Sequence, residues 1–434
     1  MNGISRLLVA GIFLVLVGCN QHIAPGNNSN SPFNKQLREL LDQKEYFRLE
    51  TKLNILKDSI DNRQRLYFQA FVNNAFNRNE ESIRDIDTLF KNYFSAITDS
   101  AKAALSLLQD DDYFKLYQYA KAAQSINTVL DNYVGVLDSE KISDIKNDLL
   151  IRNALQNIPP QEAIIRDSTV IHWKKDRIGL FEIPIKSKAK TYDCIFDTRA
   201  NISSISQTYA AKLGLKMLDV SYEEGSGMTG IRFKTGLGIA DSIYIGDILV
   251  RNVVFQVMPD SVLYLAPVKF SLNIIIGSPV IEALKEVHIY KDGRMLIPLI
   301  PLKKALHNFA LDRLDPVISL KTDDDTLCFH LDMGASTTDL YYAYFEKYKS
   351  QILKEGIIKT IQIGGAGGIQ KKDVYILPEF NVYLENKKIT IDSVAVHTEK
   401  IYPGEKYYGN IGQDFAGKFN ELILNFIDMY ISAN

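Results

Sequence analysis

The chain is short of the residues that most metal and redox chemistry needs. Its 434 residues include one tryptophan, three cysteines and six histidines. No His-x-x-x-His or Cys-x-x-Cys pair occurs, so the usual zinc spacings are absent and no metal is expected. No G-x-S-x-G or H-E-x-x-H string points to a serine hydrolase or a zincin. Charge of neither sign dominates: the formal net charge is -2, which gives no electrostatic reason to expect nucleic acid. Long apolar runs are missing too. The longest, Leu7 to Val17, is too short to span a bilayer. Hydrophobic content of 46% and charged content of 24% are ordinary for a folded chain of two or three domains.

That apolar run follows Arg6 and ends at Gly18-Cys19, so residues 1–19 read as an export signal. Leu16-Val17-Gly18-Cys19 resembles the bacterial lipobox. The resemblance implies a lipidated Cys19 and an exported protein anchored on the periplasmic or cell-surface side of a bacterial membrane. Residues 20–34 are rich in Asn, Ser, Pro and Gly, and read as a flexible tether. Of the other cysteines, Cys194 and Cys328, the expectation is two buried free thiols.

Glycine and proline then almost vanish. Between residues 35 and 157 the one glycine is Gly135, and no proline occurs before Pro159. Apolar residues recur at helical spacing in Tyr67, Ala70, Phe71 and Ala75, and again in Leu116, Tyr119, Ala120 and Ala123. The polar stretch 77–82 is expected to separate two helices, with Asn79 capping the second and Glu80 and Glu81 in its first turn. Asp110-Asp111-Asp112 reads as another break. Residues 35–158 are therefore expected to form a helical domain, weakly similar to tetratricopeptide arrays, with a possible protein partner.

Pro159-Pro160 ends this region, and the pattern turns to β. Two segments here look like copies. Phe196-Asp197-Thr198-Arg199-Ala200-Asn201 and Leu331-Asp332-Met333-Gly334-Ala335-Ser336 each follow a hairpin-like pair of strands. An offset of 135, the separation of Asp332 from Asp197, also superposes Ile183 on Ile318, Tyr209 on Tyr344 and Lys212 on Lys347. Each copy reaches an Ile-Gly element 80 residues after its aspartate, in Ile275-Ile276-Gly277 and Asn410-Ile411-Gly412. Duplication with one carboxylate per copy predicts two lobes about a pseudo-twofold axis, with Asp197 and Asp332 brought together.

These residues resemble the aspartic peptidases of the retropepsin-like or pepsin-like kind, over about residues 165–434. The resemblance implies a bilobal β domain, with lobe 1 at 159–305 and lobe 2 at 306–434. Asp197 and Asp332 take the catalytic positions. Thr198, Arg199, Ala200, Met333, Gly334 and Ala335 complete the motif loops, which Gly277 and Gly412 support. Gly225, Gly227, Gly230, Gly364, Gly365, Gly367 and Gly368 lie where flaps belong. The implied activity is endopeptidase hydrolysis of a peptide or protein substrate, without a cofactor. The facing carboxylates share one proton and activate a water.

Three residues depart from the family pattern. Asn410 stands at the first apolar position of its supporting element, so that element matches less well. Arg199 replaces a glycine, where its side chain should crowd the cleft and its charge should favour ionisation of both aspartates. Met333 replaces a Thr or Ser, leaving Thr198 alone to hydrogen-bond across the lobes. The alternative functions are a catalytically inactive peptide-binding protein and a helical scaffold with a structural β domain. Two bland motifs are set aside: Gly225-x-Gly227-x-x-Gly230 precedes strand-like Ile231-Arg232-Phe233 rather than a helix, and Asp323-Asp324-Asp325 reads as a hairpin turn.

Overall fold

The computed structural model describes residues 7–9, 32–225, 232–365, 367–402 and 404–434. Cys19, Gly227 and Gly230 lie outside them. Within the segment read as an export signal, Leu7–Val9 is a short strand parallel to Ile357–Gly365. The chain divides into two compact units. One is residues 16–160 with 310–313; the other is residues 1–15, 161–309 and 314–434. An N-terminal helical region and a β region built as a duplicated sheet together make the expected mixed architecture.

Among the described residues of the helical unit, seven α-helices run from Pro32–Asp42 to Ser139–Leu155. Local chemistry sets several of their starts. Asp61, Thr98 and Asp138 each cap a helix by accepting a hydrogen bond from the backbone N–H three residues on. Asn79 opens the helix Asn79–Tyr93 as its first residue rather than as its cap, and its amide donates to Asn77 Oδ1. Asp110, Asp111 and Asp112 do not break a helix: they lie inside Asp99–Lys115, all buried. The helical twist turns successive side chains to different neighbours. Asp110 meets Arg152, Asp111 meets Lys115, and Asp112 accepts from Ser82 and Asn74. The second apolar run, Leu116 to Ala123, is not one helix. Tyr117 adopts a left-handed φ of 57°, which turns the chain between Asp99–Lys115 and Tyr119–Asn132.

The β unit is bilobal. In lobe 1 the hairpin Phe181–Ser187 and Lys190–Phe196 leads into Asp197, and in lobe 2 Asp315–Thr322 and Thr326–Leu331 lead into Asp332. Each motif strand then pairs in parallel with its Ile-Gly strand, Phe196 opposite Ile276 and Leu331 opposite Ile411. A third sheet joins the lobes. It runs, in order, Tyr430–Ala433, Glu421–Asn425, Glu286–Tyr290, Arg294–Ile297 and Thr169–His172. At its centre Glu286–Tyr290 pairs antiparallel with Glu421–Asn425, Glu286 opposite Asn425 and Tyr290 opposite Glu421. These two strands are copies under the 135-residue offset, so the pseudo-twofold axis passes between them at the pair His288 and Ile423.

Asp323-Asp324-Asp325 sits in the exposed turn of the lobe 2 hairpin, closed by hydrogen bonds between Thr322 and Asp325. Cys194 and Cys328 are buried and not joined by a disulfide.

Candidate functional site

The two motif loops are held by the same bonds in each lobe. The backbone N–H of Asp197 donates to Ile276 O at 3.0 Å, and that of Asp332 to Ile411 O at 2.9 Å. The loops turn back with Ala200 N–H on Asp197 O and Ala335 N–H on Asp332 O. Gly277 and Gly412 receive the loops closely: a Cβ on Gly412 would lie 2.6 Å from the Thr337 carbonyl oxygen, and one on Gly277 would collide with Ala200 O. Their backbone N–H groups donate to Ser203 Oγ and Thr338 Oγ1. One residue later, Ser278 Oγ donates to Thr198 O, and Gln413 Nε2 donates to Met333 O at 2.9 Å.

Each of those supporting pairs lies at the 135-residue offset: Ser203 with Thr338, Ser278 with Gln413. The motif loops alone do not point to them. Applying the offset to every hydroxyl and amide, rather than to the motif alone, would have found them.

Thr198 bonds across the lobes. Its hydroxyl donates to Leu331 O at 2.7 Å and accepts from Met333 N–H at 3.0 Å. Met333 is buried and offers no hydroxyl in return. One side chain therefore ties lobe 1 to two backbone groups flanking Asp332.

Asp197 is 2% exposed and Asp332 is fully buried. The loops are in contact, since a Cβ on Gly334 of lobe 2 would lie 2.6 Å from either carboxylate oxygen of Asp197. Burial, and next the neighbouring charge of Asp332, push the Asp197 carboxyl well above the usual carboxylate range. Three groups pull the other way: the Arg199 N–H, which donates to Asp197 Oδ1 at 2.8 Å, the guanidinium charge of Arg199, and the Ala200 N–H. They do not prevail, so Arg199 does not leave Asp197 with a depressed value.

The Arg199 side chain also differs from its expected place. Instead of crowding an open cleft, it is fully buried, with its head among lobe 2 groups. One guanidinium nitrogen donates to Tyr341 Oη at 3.1 Å and to Asn410 Oδ1 at 3.0 Å. Another lies 3.5 Å from Asp315 Oδ2. Burial alone would lower the Arg199 pKa, but Tyr341, Asp315 and Asp332 hold it above its ordinary value. Asn410 in turn donates from Nδ2 to Asp332 Oδ2 at 2.9 Å.

The flap glycines divide between the lobes. In lobe 1, Tyr222–Gly225 pairs with Arg232–Ile245, Gly225 opposite Arg232, so the described residues on either side of this segment are strand and not helix. In lobe 2, Gly364 pairs with Ile369 and Gly365 with Gly368 at the end of a long hairpin. Gly367 and Gly368 take φ of 89° and 122°, values that suit glycine. The Gly367 N–H donates to Val262 O of lobe 1 at 2.9 Å. Ile369 packs on a lobe 1 cluster that includes Met258, Leu263 and Leu265. This hairpin tip thus reaches across to the other lobe.

Among the described residues, no group of three or more His, Cys, Asp or Glu side chains is arranged to hold a metal. No curated protein matches the chain. Residues 183–280, which carry most of the first hairpin, Asp197, the strands Tyr222–Gly225 and Arg232–Ile245 and the Ile275-Ile276-Gly277 element, match the family described as Aspartyl protease, so this part of the β unit is aspartyl-protease-like.

Proposed function

We propose that the β unit is an aspartic endopeptidase in which Asp197 and Asp332 activate one water against a peptide carbonyl. The observation that carries this reading is the set of matching backbone bonds in two loops that bury Asp197 and Asp332, with Gly334 of one loop against the Asp197 carboxylate; burial and then the charge of Asp332 raise the Asp197 pKa. Two carboxyls in that relation resist double ionisation and retain a proton, which is what acid–base hydrolysis without a covalent intermediate requires. The lobe 2 hairpin that reaches lobe 1 supports a covered cleft for an extended peptide or protein segment. Export and lipid anchoring through Cys19, with the helical unit free to engage a protein partner, complete the proposal.

Cleavage of a diverse peptide library by the wild type and by Asp197→Asn tests it. Cleavage that Asp197→Asn and Asp332→Asn each abolish is the expected result. A folded wild type that cleaves nothing while binding peptides would replace this reading with an inactive peptide-binding protein.

A further inference from the structure

Arg199 and Asn410 are separate departures in the sequence, since their repeat counterparts are Gly334 and Ile275. In the fold they lie on one path. The guanidinium of Arg199 donates to Asn410 Oδ1, and Asn410 Nδ2 donates to Asp332 Oδ2. A guanidinium offers only donors, so the amide must turn its oxygen toward Arg199. Its NH2 is thereby aimed at Asp332, and an NH2 group suits an acceptor-only carboxylate. Flipping the amide would set donors against donors at Arg199 and oxygen against oxygen at Asp332.

Resting on the peptidase reading above, we propose that Arg199 and Asn410 act as one positioning unit. It keeps Asp332 as the ionised member of the pair and leaves the shared proton on Asp197.

The surroundings agree with this assignment. Asp332 is faced by Asp197 from lobe 1 and by the positive Arg199. Around Arg199 stand Tyr341, Asp315 and Tyr402, and behind Tyr341 stand Asp339, Glu405 and His397. Arg199 is the cation among the groups that act on Tyr341, and its bonded path leads to Asp332.

The roles follow. Asp332 takes a proton from the water as its oxygen bonds to the peptide carbon. Asp197 gives its proton to the carbonyl oxygen, forming a neutral gem-diol. Asp332 then gives its proton to the amine nitrogen as the C–N bond breaks, and a diol hydroxyl returns one to Asp197. Water and peptide become acid and amine, and both aspartates recover their starting states.

The test is a carboxyl 13C NMR titration of the full chain with labelled aspartate, with Asp197→Asn and Asp332→Asn fixing the assignments. In the wild type, Asp332 should stay ionised to lower pH than Asp197. Asn410→Leu, which copies the apolar Ile275, should raise the Asp332 midpoint by about one to two pH units, as loss of a hydrogen bond to a charged group requires. Asn410→Asp changes no volume, serves if the leucine variant fails to fold, and should raise it further. The acid limb of kcat/KM should move with the midpoint. Asp332 titrating above Asp197 in the wild type, or unmoved in both variants, would overturn the proposal. Titrations as expected with no peptide cleavage would leave the positioning unit standing and end the peptidase reading instead.

Discussion

Thr198→Val is the sharpest test of how the lobes are joined. Valine keeps the shape of threonine but removes its hydroxyl. That hydroxyl is the partner of Leu331 O at 2.7 Å and of Met333 N–H at 3.0 Å, at a residue 1% exposed. Solvent cannot take its place there. Two buried backbone groups would each lose a partner at about 1–3 kcal/mol, so the variant should cost about 2–6 kcal/mol. The chain provides its own reporter. Its single tryptophan, Trp173, lies in the β unit, stacks on Phe181 and donates to Tyr290 O. Urea unfolding followed by tryptophan fluorescence therefore reads the β unit without the helices. With a slope of about 3 kcal/mol per molar urea, the midpoint should fall by about 1 M. A fall below about 0.2 M at unchanged slope would refute the claim that this hydroxyl helps to hold the lobes together.

Three further outcomes are expected. Gly334→Ala should lower peptide cleavage by about 100-fold or more in a protein that still folds, because its Cβ would press on the Asp197 carboxylate; peptide kinetics beside circular dichroism check this, and normal turnover would count against the geometry. The raised Asp197 pKa means that the folded state holds its proton longer than the unfolded chain does. Its contribution to stability is therefore full below the ordinary carboxylate pKa and is lost as pH rises through the higher folded value. Urea midpoints measured across pH should fall less steeply in Asp197→Asn than in wild type, and parallel curves would contradict this. Cys19→Ser should leave the membrane fraction or retain its signal, and a processed, membrane-bound variant would end the lipid-anchor proposal.

The fold was legible because duplication is a long-range signal that one sequence can carry. Equal spacings and hairpins before Asp197 and Asp332 located the lobes, and glycine and proline usage located the helices. Side chains that pair outside the repeat were not legible. Against the glycine it replaces, Arg199 reads as crowding the cleft, yet its place is set by Tyr341, Asn410 and Asp315, which are distant in sequence. Asn410 read as a weak apolar match because strand position says nothing of a partner in the other lobe. Three adjacent aspartates looked like a break because buried carboxylates are rare; here Arg152, Lys115, Ser82 and Asn74 satisfy them. Likewise the left-handed Tyr117 gave no glycine or proline to mark its turn.

The central seam, where Glu286–Tyr290 lies against its own copy Glu421–Asn425, has a consequence for what the site could become. A seam of that kind is self-complementary, so two identical lobes could have met along it as separate molecules. Any substitution in such a pair would occur twice. An arginine at one motif would face an arginine at the other, and the position where Gly334 touches Asp197 has no room even for a methyl group. Linking the copies in one chain lifts that restriction. Thr198 can bond across while Met333 does not, and Arg199 can meet Asn410 while Gly334 stays bare. A single chain thus allows two equivalent carboxylates to differ from each other.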